Sequence, residues 1–322
     1  MSRCLLCGSP ETLSRFRSSD RLYRTTDCFF TVVRCAACGL LRLHPQPSPE
    51  ELRAYYPPSY WFAPPKGNRQ VAAGRLEEAY RRLVLRDHVR FVLDVLRHVE
   101  PASCAVPLLD VGCGGGLFLR LMRERGIRGA GLDFSEDASR TAWREQGAPA
   151  ICGTLDHVPL RAGIFGCVTM FHVLEHLPDP RVFLSAAHRL LVPGGRLVVQ
   201  VPNAASWQSR LLGHRWNGMD VPRHLFDFRP RDLEKLLKIC GFETVRRKFF
   251  SLRDNPAGLA SSIAPALDPM ARRVRARKEH PRTRLALDLA YFGLVVASLP
   301  FTIAEAACRA GSTIMIEARK LP

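Results

Sequence analysis

The chain has 322 residues, which is enough for two domains or for one large domain with an appendage. Its 47% hydrophobic and 24% charged residues exclude a disordered, collagen-like or heptad-dominated chain. The formal net charge of +17 suits a nucleic-acid partner. However, 41 of the 47 basic residues are arginine, an excess that genomic base composition alone can produce. We therefore do not expect nucleic acid to be the main partner.

Residues 1–44 contain two cysteine pairs, Cys4-x2-Cys7 and Cys35-x2-Cys38, and a glycine follows each pair. Four thiolates at this spacing match a closed, tetrahedral structural site for Zn2+. We therefore predict that residues 1–44 form a zinc ribbon. The chain begins without an apolar run before a small-residue cleavage site, so we expect no secretory signal and a reducing, cytoplasmic environment.

Residues 45–74 are rich in proline and in aromatic side chains. Seven prolines between positions 45 and 65 predict an extended connector. From Arg75 to Val99, apolar residues recur at helical spacing, which predicts an amphipathic helix.

After this helix, apolar runs of strand length alternate with helical stretches. Strands are predicted at 106–111, 129–132, 149–152, 167–171, 196–201, 242–249 and 314–318, and helices are predicted to begin near Leu117, Ser135, Pro180 and Pro230. The alternation predicts an α/β fold with a Rossmann-like, mostly parallel seven-stranded sheet and helices on both faces. This domain would span residues 75–250 and take its final strand from 312–322.

A glycine-rich turn, Asp110-x-Gly112-x-Gly114-x-Gly116, follows the first predicted strand. Ligands of open α/β sheets bind at this edge, and glycine lets a ligand approach the backbone closely. The turn lacks the last glycine of the dinucleotide fingerprint and the lysine of the Walker motif. Asp133, at the end of the second strand, can accept both hydroxyls of a ribose. The pattern therefore indicates a nucleoside ligand without a pyrophosphate.

This arrangement resembles the class I S-adenosylmethionine-dependent methyltransferases over roughly residues 100–249 and the last strand. The resemblance implies that the glycines pack on the amino-acid part of S-adenosylmethionine, that Asp110 organises the loop and that Asp133 holds the ribose. Thr154 stands where the family often has an acidic residue beside the adenine. Tyr56 and Tyr60 resemble aromatic residues that fold over the cofactor as a lid, or they pack the connector. The expected cofactor contacts are Tyr60, Asp110, Gly112, Gly114, Gly116, Asp133, Phe134, Thr154, Leu155, Phe171 and His172.

The acceptor side is expected where the fourth strand of the sheet ends, in Phe171-His172-Val173-Leu174-Glu175-His176. Glu175 and His176 can bind a divalent metal, take part in proton transfer or brace the fold. A similar pair occurs in methyltransferases of ubiquinone biosynthesis, where it can carry a metal.

His224 lies in the loop before a later helix. The loop resembles the catalytic loop of zinc-containing deoxysugar C-methyltransferases, where a histidine before leucine serves as base. Methyl transfer from a sulfonium mainly requires alignment of the partners and removal of a proton. We therefore expect His224 to be the general base, with Glu175 and His176 as further catalytic candidates. The alternative is a loop histidine bonded to backbone.

Residues 251–311 form a long insertion before the last strand, basic at first and then apolar. Its longest run without charge, Leu289 to Ala304, is 16 residues and falls short of a spanning helix. Cations beside an apolar surface, here residues 272–307, suit a peripheral membrane contact. A helical hairpin over the acceptor pocket and a homodimer interface are the alternatives.

Together these features predict a methyltransferase that acts at oxygen or carbon of a small-molecule, glycosyl or lipid-linked acceptor, as in secondary metabolism. A zinc-ribbon RNA methyltransferase is the second hypothesis, because a similar ribbon precedes this fold in certain ribosomal-RNA methyltransferases. A non-catalytic regulator that senses S-adenosylmethionine and binds nucleic acid is the third.

Overall fold

The computed structural model describes residues 3–57, 70–99, 107–275 and 279–322. Tyr60, an expected cofactor contact, lies outside the described residues, as do Arg277 and Lys278 of the insertion. The strands are β1 Thr12–Ser18, β2 Phe30–Cys35, β3 Leu41–His44, β4 Leu108–Val111, β5 Gly129–Asp133, β6 Ala150–Cys152, β7 Phe165–Phe171, β8 Leu191–Pro202, β9 Phe226–Asp227, β10 Phe242–Lys248 and β11 Thr313–Lys320. The helices are α1 Pro49–Ala54, α2 Gln70–Leu96, α3 Leu117–Arg123, α4 Glu136–Gln146, α5 Pro180–Leu190, α6 Trp207–Leu212, α7 Pro230–Ile239, α8 Asn255–Ile263, α9 Pro269–Val274 and α10 Pro281–Ala307.

The large sheet has seven strands in the order β10-β11-β8-β7-β4-β5-β6. Strands β4 to β8 run parallel, whereas β11 is antiparallel to both β8 and β10. Every residue of β4 is buried, as expected for a parallel strand covered on both faces. The predicted Rossmann-like fold is confirmed, and all seven predicted strands are present.

Local sequence signals set the helix starts in this domain. The Ser135 side chain accepts a hydrogen bond from the Ala138 amide and caps α4. Asp179 caps α5 in the same way, and Pro180 occupies the first turn. The connector differs from the expected extended chain, because α1 forms within it behind a Ser48 capping box.

The chain reverses direction across the large sheet between β4 and β7. From β4 it proceeds outward to β5 and β6, and from β7 it proceeds the other way to β8. Loops that follow β4 and β7 therefore separate at their carboxyl ends and leave a crevice between them. The glycine turn and the Glu175–His176 segment are the two loops at this crevice.

A second sheet has four antiparallel strands in the order β1-β2-β3-β9. Strands β1 to β3 belong to the cysteine-bearing N-terminal segment, but β9 follows His224 by only two residues. Leu41 and Arg42 pair with Asp227 and Phe226. The N-terminal segment and the loop of His224 thus share one sheet, and backbone hydrogen bonds connect residues 1–44 with the later domain.

The insertion between β10 and β11 consists of α8, α9 and α10. By length and composition, α10 is long and apolar enough to cross a membrane, with an 18-residue window of mean hydropathy 1.7. It is the one such helix among the described residues. The expectation that this stretch is too short to span a membrane is therefore wrong. It counted only the uncharged residues between Asp288 and Glu305, whereas the helix extends beyond both.

Candidate active site

The turn after β4 requires glycine at two points. Gly112 has φ of +73°, and a Cβ there would lie 2.7 Å from Val173 Cγ2. Gly116 has φ of +79°, and its Cβ would lie 2.9 Å from the Cα of Ala142 in α4. At these distances there is no room for a side chain at either position. A larger residue would force the turn away from the sheet edge. Because Gly112 lies against Val173, the turn is next to the Glu175–His176 segment.

Asp133 organises this turn. Its carboxylate accepts hydrogen bonds from the amides of Gly114 (2.8 Å) and Ser135 (2.9 Å). Burial raises the pKa of Asp133 against the effect of these two amides. Each carboxylate oxygen retains an unused lone pair, so the side chain can still accept two ribose hydroxyls.

Asp110 does not contact the glycine loop in the way that the sequence predicts. Its carboxylate accepts a hydrogen bond from the Thr169 hydroxyl of β7 at 2.6 Å. Burial raises the pKa of Asp110 to about 7, while the Thr169 bond opposes the shift and the charge of Asp133 adds to it. Among the described contacts, the Gly114 amide of the loop donates to Asp133 and not to Asp110. The Thr169 bond shows that Asp110 links β4 to β7.

An aromatic pair borders the turn on the side of β5. The Phe134 side chain is 57% exposed although it follows the buried Asp133 directly. Its ring centroid lies 6.2 Å from that of Tyr56, in an edge-on arrangement. An exposed ring beside the carboxylate of Asp133 is suited to contact with an adenine. Tyr56, on the connector, thus reaches the cofactor side of the crevice.

The remaining expected cofactor contacts differ in placement. Phe171 packs its ring on Phe118 (5.2 Å between centroids) and on His88 (5.0 Å), so it supports the crevice from within. Leu155 is fully buried, while Thr154 is half-buried with its hydroxyl 3.3 Å from His157 Nδ1. The Thr154 position is therefore polar and accessible, and it can hydrogen bond without an acidic group.

His172 lies between two carboxylates. Its Nδ1 is 3.0 Å from Glu175 Oε1, and its Nε2 is 3.5 Å from Asp254 Oδ2 at the start of α8. Burial disfavours the imidazolium, but the charges and hydrogen bonds of Asp254 and Glu175 outweigh it and raise the pKa of His172 to about 9. His172 is therefore a charged brace between Glu175 and α8.

Glu175, His176 and His224 form a compact cluster. One ligand atom from each lies within 4.8 Å of the others, and the two imidazole centroids are 4.5 Å apart. Glu175 Oε2 is buried and has no hydrogen-bond partner among the described residues. The three side chains can hold a divalent cation or take a proton from an acceptor.

The surroundings set the tautomer of His224 and the charge of His176. His224 Nδ1 is 2.8 Å from the carbonyl oxygen of Gly218. A carbonyl only accepts, so Nδ1 carries the proton and Nε2 keeps its lone pair. Burial lowers the pKa of His176 to about 4, and His224 adds to this shift whenever its own ring is protonated, so His176 stays neutral. The Tyr56 hydroxyl lies 2.8 Å from His176 Nδ1 and links the cluster to the aromatic pair.

A buried arginine attaches the loop of His224 to the N-terminal segment. Arg223 is fully buried and contacts Asp20 through two nitrogens at 2.8 and 3.0 Å, and Asp220 at 2.8 Å. Its guanidinium also lies over the Tyr23 ring, 4.5 Å from the centroid. Burial disfavours the Asp20 carboxylate, but the bonds and charge of Arg223 lower the pKa of Asp20 overall. Asp20 of the N-terminal segment and Asp220 of the same loop thus hold Arg223, the residue before His224, in place.

Backbone contacts on either side of His224 complete the attachment. The carbonyl of Arg223 accepts a bond from His176 Nδ1 at 3.1 Å. The Leu225 amide donates to the carbonyl of Glu175 at 2.7 Å, and the Leu225 carbonyl accepts from the Leu43 amide of β3 at 3.0 Å. The position of His224 therefore depends on the cysteine-bearing segment.

The four cysteines come together as the sequence predicts. Cys4 Sγ lies 3.5 Å from Cys38 Sγ, and Cys7 Sγ lies 3.5 Å from Cys35 Sγ; all four sulfurs lie within 4.8 Å. Zinc–sulfur bonds of about 2.3 Å in a tetrahedron require sulfur–sulfur distances of about 3.8 Å. The cluster thus fits Zn2+ with no open position.

Sequence reasoning missed Asp20, Arg223 and Asp254. Asp20 lies 203 residues before its partner Arg223, and Asp254 reaches His172 from the insertion. The only local signal was the charged pair Asp220 and Arg223 directly before His224. The spacing of residues along one sequence does not reveal contacts between distant segments.

The known proteins that this chain resembles include methyltransferases. A family model described as a methyltransferase domain matches residues 76–247, just over half of the chain. The ubiquinone biosynthesis O-methyltransferase of Psychrobacter arcticus is 31% identical over 177 residues, covering 51% of this chain and 68% of that protein. Its counterpart from Thiobacillus denitrificans is 32% identical over 149 residues, covering 42% of this chain and 64% of that protein.

A solved S-adenosylmethionine-dependent methyltransferase from Archaeoglobus fulgidus superposes with a TM-score of 0.48 at 19% identity, covering 76% of this chain and 98% of that one. The family match covers the glycine turn, Asp133 and the Glu175–His176–His224 cluster. The chain therefore belongs to the methyltransferase family, as a class I S-adenosylmethionine-dependent enzyme.

Proposed function

We propose that this enzyme methylates a hydroxyl or an acidic carbon of a small-molecule, glycosyl or lipid-linked acceptor, with His224 as general base. The observation that carries the proposal is the cluster itself: His224 and Glu175 each bring one ligand atom within 4.8 Å of the other. The Gly218 carbonyl occupies His224 Nδ1, which leaves Nε2 bare, and Glu175 Oε2 is buried with no partner among the described residues. A proton taken up at Nε2 creates an imidazolium beside a carboxylate, which is a favourable pairing. His176, held neutral, adds no opposing charge.

The cofactor side supports this arrangement. When bound, S-adenosylmethionine supplies a methyl group on a positively charged sulfur. Asp133 and the glycine turn offer hydrogen-bond acceptors and close backbone contact for the nucleoside and amino-acid parts. Phe134 and Tyr56 cover the adenine side. The chain's own contribution is to align the acceptor with this site and to remove its proton.

We assign a structural Zn2+ to Cys4, Cys7, Cys35 and Cys38. Two of these cysteines, Cys35 and Cys38, lie beside contacts made to the catalytic domain. Arg229, at the start of α7, donates to the carbonyl of Cys38 at 2.8 Å, and β2, which ends at Cys35, pairs with β3 beside β9. The ion would therefore stabilise the sheet that positions His224 without contacting the acceptor.

His224→Gln tests the base directly. Glutamine keeps a hydrogen-bonding side chain of similar length but has no basic nitrogen, so turnover should fall by roughly 100- to 10,000-fold. His214→Gln, an exposed histidine in the same region of the chain, is the matched control and should retain full turnover. Affinity for S-adenosylhomocysteine, measured by calorimetry, should be the same in both variants. Unchanged turnover in His224→Gln would refute the assignment.

The acceptor class follows from methyl labelling. The zinc-loaded enzyme and methyl-labelled S-adenosylmethionine are incubated with a cell extract, which is then separated into lipid, small-molecule, glycan and RNA fractions. Label in the lipid, small-molecule or glycan fraction, lost with His224→Gln, supports the proposal. Label in RNA identifies a zinc-ribbon RNA methyltransferase instead. Cofactor binding without label in any fraction, together with salt-sensitive nucleic-acid binding, identifies a non-catalytic regulator.

A further inference from the structure

The outer face of α10 is entirely apolar over 20 residues. Between positions 285 and 304, the exposed residues are Leu285, Ala286, Leu289, Ala290, Phe292, Gly293, Val296, Ala297, Pro300, Ile303 and Ala304. The large side chains among them are between 47% and 62% exposed. At 1.5 Å per residue this face is about 30 Å long. A helix that faces water normally carries polar residues on its outer face, so this surface is made for an apolar environment.

The polar residues of the same stretch are buried or partly buried and have partners within the protein. The Tyr291 hydroxyl bonds to Ser261 Oγ (2.8 Å) and to the Ala257 carbonyl in α8. Ser298 donates to a carbonyl of its own helix. Asp288 is held by Arg272, which is buried. Arg272 is therefore an internal partner and not one of the surface cations that the basic composition of this segment suggests.

Arginines mark both ends of the apolar face. Arg282 and Arg284 are exposed at its start, and Arg309 is exposed just after α10 ends. The acidic residues in the described segment 279–311 all have partners: Glu279 and Asp288 contact Arg272, and Glu305 accepts bonds from Gln208. Asp288 is still 38% exposed and lies 3.9 Å from Arg284, so it offsets part of the positive charge at the start of the face. The exposed charge around the face is thus positive, which matches an anionic surface.

The helix lies along the domain and does not leave it. Near its start, Tyr291 is bonded to α8; near its end, Glu305 accepts two bonds of 2.9 Å from Gln208 of α6. The chain then enters β11, an interior strand of the large sheet, at Thr313. Because both ends are fixed to the same domain, α10 presents one side to its surroundings over its whole length.

From this geometry we infer that α10 docks the enzyme on the surface of an anionic lipid bilayer, with the helix parallel to the membrane plane. Leu285, Leu289, Phe292, Val296 and Ile303 enter the boundary between headgroups and acyl chains, and the terminal arginines contact lipid phosphates. A second copy of this chain suits the face less well. Either orientation of two paired α10 helices brings arginine-bearing ends together, so like charges meet.

Docking would bring the membrane close to the active site. Helix α8 contacts α10 through Ser261, contacts the loop of His224 through the Ser262–Asn217 bond of 2.8 Å, and contacts His172 through Asp254. One helix therefore separates the apolar face from the catalytic cluster. An acceptor that resides in the lipid phase could reach this cluster without crossing water.

The test is flotation of the full-length, zinc-loaded enzyme with vesicles of phosphatidylcholine alone or mixed with phosphatidylglycerol. Binding needs no acceptor, so its failure is distinguishable from failure of the proposed chemistry. The triple variant L285E/L289E/V296E should bind mixed vesicles at least about tenfold more weakly than the unmodified enzyme. The control L13E/I239E/V245E changes three residues of similar exposure outside α10 and should bind normally.

Two further measurements keep the outcome decisive. Thermal unfolding and affinity for S-adenosylhomocysteine must be unchanged in the α10 variant, which shows that it is folded. The double variant R282E/R284E should bind the mixed vesicles more weakly, and its remaining binding should depend less on salt. Equal vesicle binding by the α10 variant and the unmodified enzyme would overturn the inference. So would a dimer in solution that the α10 changes dissociate while vesicles leave it intact.

Discussion

Replacing Asp20 by asparagine tests whether the cysteine-bearing segment positions the catalytic base. Asp20 is fully buried as a side chain and accepts bonds from Arg223 at 2.8 and 3.0 Å and from the amides of Tyr23 and Thr25. Removing one partner of a buried ion pair costs about 3 to 5 kcal/mol. Because Asp220 remains bound to Arg223, we expect a loss of about 3 kcal/mol in the free energy of unfolding.

The effect on turnover is expected to exceed what unfolding explains. A domain with about 5 to 15 kcal/mol of stability remains folded after this loss. Arg223 immediately precedes His224, so its displacement moves the base, and a shift of about 1 Å costs roughly 100-fold in rate. This corresponds to about 2.7 kcal/mol in activation free energy. Cofactor affinity should change much less than turnover, because Asp133 and the glycine turn make none of these contacts. Arg223 reaches the cofactor side only through the Tyr55 carbonyl, next to Tyr56.

The assay combines urea unfolding, calorimetry with S-adenosylhomocysteine and turnover with labelled S-adenosylmethionine, each on Asp20→Asn and on Asp27→Asn. Asp27 is an exposed carboxylate in the same segment and serves as the control. Controlled removal of zinc should reproduce the Asp20→Asn behaviour. If Asp20→Asn lost the expected stability yet kept its turnover within twofold per folded molecule, the segment would not position His224.

Three other predictions concern the cofactor, the charged brace and the metal question. Asp133→Ala should lower affinity for S-adenosylhomocysteine by at least about 100-fold, since both the ribose acceptor and the anchor of the glycine turn are lost; equal affinity, with exposed Asp137→Ala as control, would contradict the site. The pKa of His172 is raised from 6.5 to about 9, so its contribution to stability is fully present below pH 6.5 and disappears as the pH rises through 9. The unmodified enzyme should therefore exceed His172→Gln in unfolding free energy by at most roughly 3 kcal/mol at low pH, and a pH-independent difference in urea midpoints would refute this charge state. Chelation that leaves the four-cysteine zinc in place, checked by metal analysis, should not change turnover if His224 is a base; a loss restored by a divalent cation would make Glu175, His176 and His224 metal ligands instead.

Much of the α/β domain could be predicted because its signals are local. Buried strands such as β4 are short apolar runs, and the helices start at capping residues such as Ser135 and Asp179. The glycine turn could also be predicted, since positive φ and close packing both require glycine at positions 112 and 116. The two-residue strand β9 was missed because no periodic pattern fits in so short a segment.

The candidate site could be predicted only in part. The sequence indicated Glu175, His176 and His224 one by one, from two separate loops, with no distance between them. Their meeting within 4.8 Å depends on how the loop after β8 folds back over the end of β7. Asp254 and Asp20, which set the environment of the cluster, lie in segments without any motif.

The sequence by itself determined most strands and helices of the α/β domain, the glycine turn with Asp133 beside it, and the four-thiol cluster, because caps, periodicity and ligand spacing act within a few residues. Only the tertiary structure decided that the cysteine-bearing segment shares a sheet with β9, that Asp20 binds Arg223 beside His224, and that the exposed residues of α10 between positions 285 and 304 are all apolar. Long-range pairing of this kind depends on burial and on charges from distant segments, and neither leaves a local pattern in the chain.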